Sequence, residues 1–208
     1  MKFYFLYLLS FLLTFNKVET SIGIGLVKVD FDDKTVLNFY ENKGDVNPIK
    51  RIEFFNDEKI QSWNIRDLKV HQQWLRPEVL WLNYYSFVFR CISDSNDWFE
   101  VLVNQDSGQT YWIKKQDILI FNTWEEYLKS MFSIARLSTE KQSIWESPSF
   151  NSQEIEYEGE DCFQVKSMKG EWIEIYTPSH CIDKNIIKKG WIRWRDNNKI
   201  LVEYYSES

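Results

Sequence analysis

Histidine occurs twice and cysteine three times in 208 residues, and this scarcity removes most catalytic chemistry at the outset. Only His71 and His180 could act as a general base, and none of Cys91, Cys162 and Cys181 opens a recognisable nucleophile motif. His180 stands beside Cys181, but adjacent residues on a strand point to opposite faces and would not converge on one substrate atom. That objection loosens if the pair sits in a loop near Pro178. A zinc set drawn from Cys162, His180, Cys181 and Asp183 has a spacing that matches no usual template. A glycine-rich phosphate loop, a nucleotide fingerprint and a paired-carboxylate signature are all missing. Neither an enzyme nor a cofactor or metal is expected.

Clustered positive charge is also lacking. The net charge is −6 and the basic residues are scattered, so a phosphate backbone finds no stripe to bind and nucleic acid is not an expected partner. The odd number of cysteines leaves one over after any pairing; Cys162 and Cys181 read either as a disulfide in an oxidising compartment or as small buried hydrophobes.

The chain has one long apolar run, from Phe3 to Phe15 behind Lys2, broken only by Ser10 and Thr14. Its length of about thirteen residues falls short of the roughly twenty that a membrane span needs. It has the profile of a signal peptide over residues 1–20, with the mature chain starting after residue 15 and before about residue 24. No Ala-x-Ala site follows, and Val18-Glu19-Thr20 is a weak substitute, so an uncleaved anchor or a buried strand are the alternatives. The expectation is a secreted or periplasmic protein with no stable membrane span after processing.

What the chain does have is apolar material, 44% hydrophobic and 17% aromatic, which is ample for a packed core. It also has a recurrence. Asp97-Trp98-Phe99-Glu100-Val101 followed by Tyr111-Trp112-Ile113-Lys114 returns as Glu171-Trp172-Ile173-Glu174-Ile175 followed by Gly190-Trp191-Ile192-Arg193. Each copy reads as two strands. Phe39-Tyr40-Glu41 is echoed by Ile144-Trp145-Glu146, Ile52 to Phe55 by Ile155 to Tyr157, and Phe87-Val88-Phe89 by Phe163-Gln164-Val165. The stretch between Tyr40 and Trp98 is about twice that between Trp145 and Trp172, which puts an insertion near 56–85.

Alternation predicts a hairpin over Val27 to Glu41 around Asp32-Asp33-Lys34, and a long strand from Leu82 to Ile92. Thr123 and Glu126 make a capping box, and Trp124, Tyr127, Leu128 and Met131 recur at helical spacing. A closing hairpin is expected over Trp191 to Tyr204, turning on Asn197 and Asn198.

The second copy resembles a bacterial SH3-like domain, through Glu146-Ser147-Pro148-Ser149, Gly170-Glu171-Trp172-Ile173-Glu174-Ile175 and Gly190-Trp191-Ile192. The first copy departs from that pattern where Tyr111 replaces a glycine before Trp112. The resemblance implies a mainly β protein made of two small SH3-like barrels. A divergent domain at 24–121 would be joined by a linking helix at 122–134 to a second at 135–208. It also implies peptidoglycan peptides or proteins as partners, though no single activity follows from the fold.

Strand parity turns Phe99, Val101 and Ile113, and likewise Ile173, Ile175 and Ile192, inward. The outer face of each unit then presents two tryptophans with a carboxylate opposite a cation: Trp98, Glu100, Trp112 and Lys114, and Trp172, Glu174, Trp191 and Arg193. These eight are the expected ligand-binding residues; the alternative is that the rings cover the barrel and the charges form ordinary cross-strand ion pairs. Two functions fit. One is an exported, non-catalytic module that takes envelope peptide or glycan; the other is an adaptor, inhibitor or immunity-like protein with one specific protein partner.

Overall fold

The computed structural model describes residues 20–137, 142–181 and 186–206. Asp183 and all but the last residue of the expected signal peptide lie outside them.

Period-two alternation dominates the first half and builds β1 (Gly25–Val29), β2 (Val36–Tyr40), β3 (Lys50–Asp57), β4 (Ser62–Ile65), the single helical turn α1 (Leu68–His71), β5 (Val79–Trp81), β6 (Ser86–Ser95), β7 (Trp98–Asn104), β8 (Gln109–Lys114) and β9 (Leu119–Thr123). They form a nine-stranded sheet in the order β4-β3-β2-β8-β7-β6-β1-β9, with β5 added to β6. The sheet curls into a half barrel. Register shifts between Cys91 and Ser93 and between Leu102 and Asn104 add the local twist that curling needs.

One face of this sheet gathers Val27, Val29, Phe39, Phe54, Phe87, Phe89, Phe99 and Val101 into a core. Phe31 stacks on Phe54 at 4.5 Å and Phe39 meets Phe89 edge to face at 5.8 Å. Residues 56–85 complete that core. Trp74 packs 5.3 Å from Phe39 and Trp63 packs 5.7 Å from Phe31, while Leu75 is fully buried. These side chains reach the core from turns and short elements, so they carry no strand or helix period.

Two strand expectations are corrected. β1 does not pair with β2: it lies between β6 and β9, whereas β2 lies between β3 and β8. The turn between them is real, with Thr35 N–H bonded to the Asp32 carbonyl, but the chain crosses from one part of the sheet to another there. Alternation specifies strands and not their partners, so it could not distinguish the two cases. The strand expected from Leu82 begins instead at Ser86, because Leu82–Tyr84 form a 3-10 turn that ends on Tyr85 in the left-handed region at φ 51°.

The second half opens with α2 (Trp124–Ser130), whose capping box is complete: Thr123 Oγ1 accepts from Glu126 N–H, and the Glu126 carboxylate accepts from Thr123 N–H. The Thr123 N–H and hydroxyl, both donating to the Glu126 carboxylate, hold its carboxyl below the ordinary range. Then come β10 (Ser133–Arg136), β11 (Ile144–Trp145), β12 (Glu154–Ile155), β13 (Gln164–Lys169), β14 (Trp172–Tyr176), β15 (Gly190–Arg193), β16 (Arg195–Asp196), β17 (Lys199–Ile200) and β18 (Val202–Tyr205). β16 and β17 form the expected tight turn, with Asn197 at φ 52°. The hairpin reaches only one pair further, with Leu201 N–H bonded to the Trp194 carbonyl, before β18 leaves to pair with β10.

The second sheet has the order β12-β11-β15-β14-β13, and the first contains the run β3-β2-β8-β7-β6. The pairing matches in detail. Glu100 lies opposite Trp112 as Glu174 lies opposite Trp191, and Trp98 opposite Lys114 as Trp172 lies opposite Arg193. A bulge falls at one shared point: Cys91 faces Val101 and Ser93 faces Glu100, just as Val165 faces Ile175 and Ser167 faces Glu174. By this register Val165 corresponds to Cys91, two residues along from the Phe89 that the sequence suggests. A slip of two keeps the same face, which is why the pattern hid it.

Gly190 and Tyr111 occupy matching positions and explain each other. A Cβ on Gly190 would sit 2.6 Å from Cγ2 of Ile144, whereas the first core has room for Tyr111 beside Phe39 and Trp74.

The second core is not confined to the second sheet. Ile144, Phe163, Ile173, Ile175 and Ile192 pack with Trp124, Tyr127 and Leu128 of α2 and with Leu26, Val79 and Val88 from the first sheet. β1 and β6 therefore bury both faces, one in each core. A polar clamp spans the same junction: Glu78 pairs with Arg90 and accepts a hydrogen bond from the Tyr204 hydroxyl, and both side chains of the ion pair are buried. Among the described residues no helix is long and apolar enough to cross a membrane.

Candidate functional site

The parity argument places the inward residues correctly, since Phe99, Val101 and Ile113 lie in the first core and Ile173, Ile175 and Ile192 in the second. Opposite them, the eight outward residues form two sets on two different sheets. Trp98, Glu100 and Trp112 are half-buried and Lys114 is exposed; Trp172 and Arg193 are half-buried. Trp191 and Glu174, at 9% and 8% exposure, are covered, against the expectation of a fully open face.

The expected pairing of carboxylate with cation does not form. Directly opposed residues are Trp with cation and Glu with Trp, so Glu100, Glu174 and Arg193 turn to other neighbours. Glu100 accepts from Thr110 Oγ1 at 2.8 Å. Glu174 accepts from Ser167 Oγ at 2.8 Å and lies 3.5 Å from Lys166 Nζ; the Ser167 bond, outweighing burial, holds its carboxyl below the ordinary value. Arg193 bonds Glu171 at 2.6 Å and Asp196 at 2.9 Å, both through Nη2, and this hydrogen bond lowers the Glu171 carboxyl in the same way.

The β-ladder adds a third ring to each set, which the motif pairs alone did not reveal. Tyr40 is opposite Trp112 and Trp145 is opposite Trp191. In the first unit Tyr40 meets Trp98 edge to face at 5.1 Å, and Lys43 sits 5.9 Å over the Trp112 ring while donating to Ser95 Oγ at 2.7 Å. In the second unit the loop after β11 instead delivers Phe150, which stands 5.9 Å from Trp145 and 5.0 Å from Trp172, at interplanar angles of 89° and 64°. The Ser152 hydroxyl, which accepts from Ser147 N–H and shares its one proton between the carbonyls of Ser147 and Ser149, holds that loop in shape. Phe150 is 61% exposed, a large apolar residue in a stretch of Ser, Pro and Asn. That contrast was the available signal for it.

A cleft of about 230 Å³ opens beside these rings, walled by Trp145, Phe150, Leu137 and Leu201 and edged by Arg193 and Lys199. Arg193 also covers one face of Phe150, its guanidinium 5.5 Å from the ring centre.

Cys162 and Cys181 form a disulfide with Cα atoms 5.9 Å apart. Pro178 to Cys181 is a turn, closed by Cys181 N–H on the Pro178 carbonyl, so His180 and both sulfurs do converge, within 4.8 Å of one another. The strand objection therefore does not apply here. What removes thiolate chemistry is the disulfide itself, while the His180 ring packs 4.1 Å from Phe132. The remaining thiol, Cys91, is fully buried, and burial pushes it up to about 12. Comparison of the chain with protein-family models, with curated proteins and with solved structures finds no match.

Proposed function

We propose that this is an exported, non-catalytic binding protein built from one SH3-like unit used twice and joined through α2, with its ligand surface on the second unit. The matching strand order and register of the two sheets support the single-unit origin. The Cys162–Cys181 disulfide supports an oxidising destination outside the cytoplasm.

The observation that carries the binding reading is Phe150. It is mostly exposed, held by an ordered loop between Trp145 and Trp172, and stands at the mouth of a cleft. A ring that gained only stability would be expected beneath the surface, and exposed aromatic clusters beside a concavity mark contact surfaces. The ligand class is a peptide or glycan of the cell envelope.

The test is to replace Phe150 and Trp172 separately by Ala and measure retention on purified peptidoglycan and on envelope extract, alongside the melting temperature. Phe150→Ala should lower retention several-fold with a stability loss of about 1 kcal/mol or less, the value of one or two exposed ring contacts. Unchanged retention in both variants would retire the surface. The same pull-down weighs the alternative of one specific protein partner, which would appear as a single stoichiometric species.

A further inference from the structure

The lining of the cleft beside Phe150 runs against the acidic balance of the chain. The protein carries 31 acidic against 25 basic residues, yet two cations edge this cleft and no carboxylate lines it among the described residues. Arg193 spends only Nη2 on Glu171 and Asp196; its Nε and Nη1 donate to nothing among the described residues. Lys199 has no ion pair there either. Glu171 and Asp196 already meet the charge of Arg193, so the unpaired cation at the rim is Lys199, and its ammonium, with the unspent Arg193 N–H donors beside it, suits a carboxylate.

Size and ring geometry narrow the rest. At about 230 Å³ the cleft is smaller than the roughly 300 Å³ at which drug-sized ligand pockets begin, so it accommodates a side chain rather than a whole molecule. The rings give no open flat platform for a sugar: Phe150 stands at 89° to Trp145 and Arg193 covers one of its faces. Leu137, Leu201 and Phe150 instead make a slot for an aliphatic chain. We propose that the cleft binds an extended peptide segment carrying an apolar side chain next to a carboxylate. The proposal rests on the reading of the second unit as a binding surface and names what that surface selects.

The test uses the full mature chain and fluorescein-labelled, C-terminally amidated hexapeptides of alternating Leu and Asp, or Leu and Asn, followed by fluorescence anisotropy; a soluble N-acetylglucosamine oligosaccharide is added by calorimetry. The Leu-Asp peptide should bind at least about tenfold more tightly than Leu-Asn, with the advantage shrinking as salt rises. Lys199→Gln, at an exposed position, should cut that advantage by about threefold or more with an unchanged melting temperature. Equal affinity for the two peptides, or an advantage that Lys199→Gln leaves intact, overturns the proposal. Oligosaccharide binding without peptide binding overturns it while sparing the wider reading of a ligand surface, and no binding of either probe overturns both.

Discussion

At the scale of single residues, Gly190 and Cys91 make the sharpest demands. A methyl group on Gly190 would have to displace Ile144, whose Cγ2 is a short branch on a buried side chain and cannot swing away. Gly190→Ala should therefore cost about 1–3 kcal/mol, the usual range for overpacking, read as a lower urea midpoint at unchanged slope; equal stability would mean that β11 and β15 are further apart than they stand. Cys91 sets a limit at alkaline pH. Burial raises its thiol from an ordinary value of 9.0 to about 12, so the folded state keeps a proton that the unfolded chain releases. That contribution is complete below about pH 9 and is lost as pH rises towards 12. The buried hydroxyls of Tyr127 and Tyr204 are raised too, from 10.0, and act in the same direction at higher pH. Cys91→Ala should flatten the fall in stability between pH 9 and 10 and leave the steeper loss beyond; an unchanged profile from wild type would show that the thiol is not the group responsible.

At the scale of elements, what could be read from the chain was whatever depends on near neighbours. The α2 cap needs only Thr123 and Glu126 three residues apart, and it is present as expected. Thr123→Ala should cost about 1 kcal/mol, measured by chemical denaturation; a loss near zero would mean that packing of Trp124 and Leu128 alone fixes the helix start. The inward faces of β7, β8, β14 and β15 were legible for the same reason, since parity is local. Partner choice is not local, and there the reading failed: β1 and β2 look like a hairpin and join different neighbours. Trp74 and Leu75 fill the first core from a turn, and Trp63 packs on it from the four-residue β4, where no period announces them. Parity gives the side of the sheet and not its exposure, so Trp191 and Glu174 are covered, and the ion pairs differ because opposing register sets Glu100 and Glu174 against tryptophan and leaves the cations to Glu171, Asp196 and solvent. Phe150 lies in a loop, where no strand or helix period assigns a side chain to a face.

At the scale of the molecule, the two halves are not separable in energy. Leu26, Val79 and Val88 of the first sheet sit in the second core, and the Glu78–Arg90–Tyr204 clamp crosses the junction. Calorimetry should therefore record one cooperative transition, and Tyr204→Phe, which leaves Glu78 one donor short, should lower it as a whole without splitting it. Two resolved transitions would contradict the shared core. The same sharing imposes an order of assembly on the growing chain. Synthesis delivers β1 to β9 first, and they can close around their own core of Phe39, Phe54, Phe87 and Phe89 while the remainder is still being made. The later half has no such independence, for the strands from β10 onward complete their interior against a surface that must already exist. The amino-terminal sheet thus offers a template on which the carboxy-terminal half is cast.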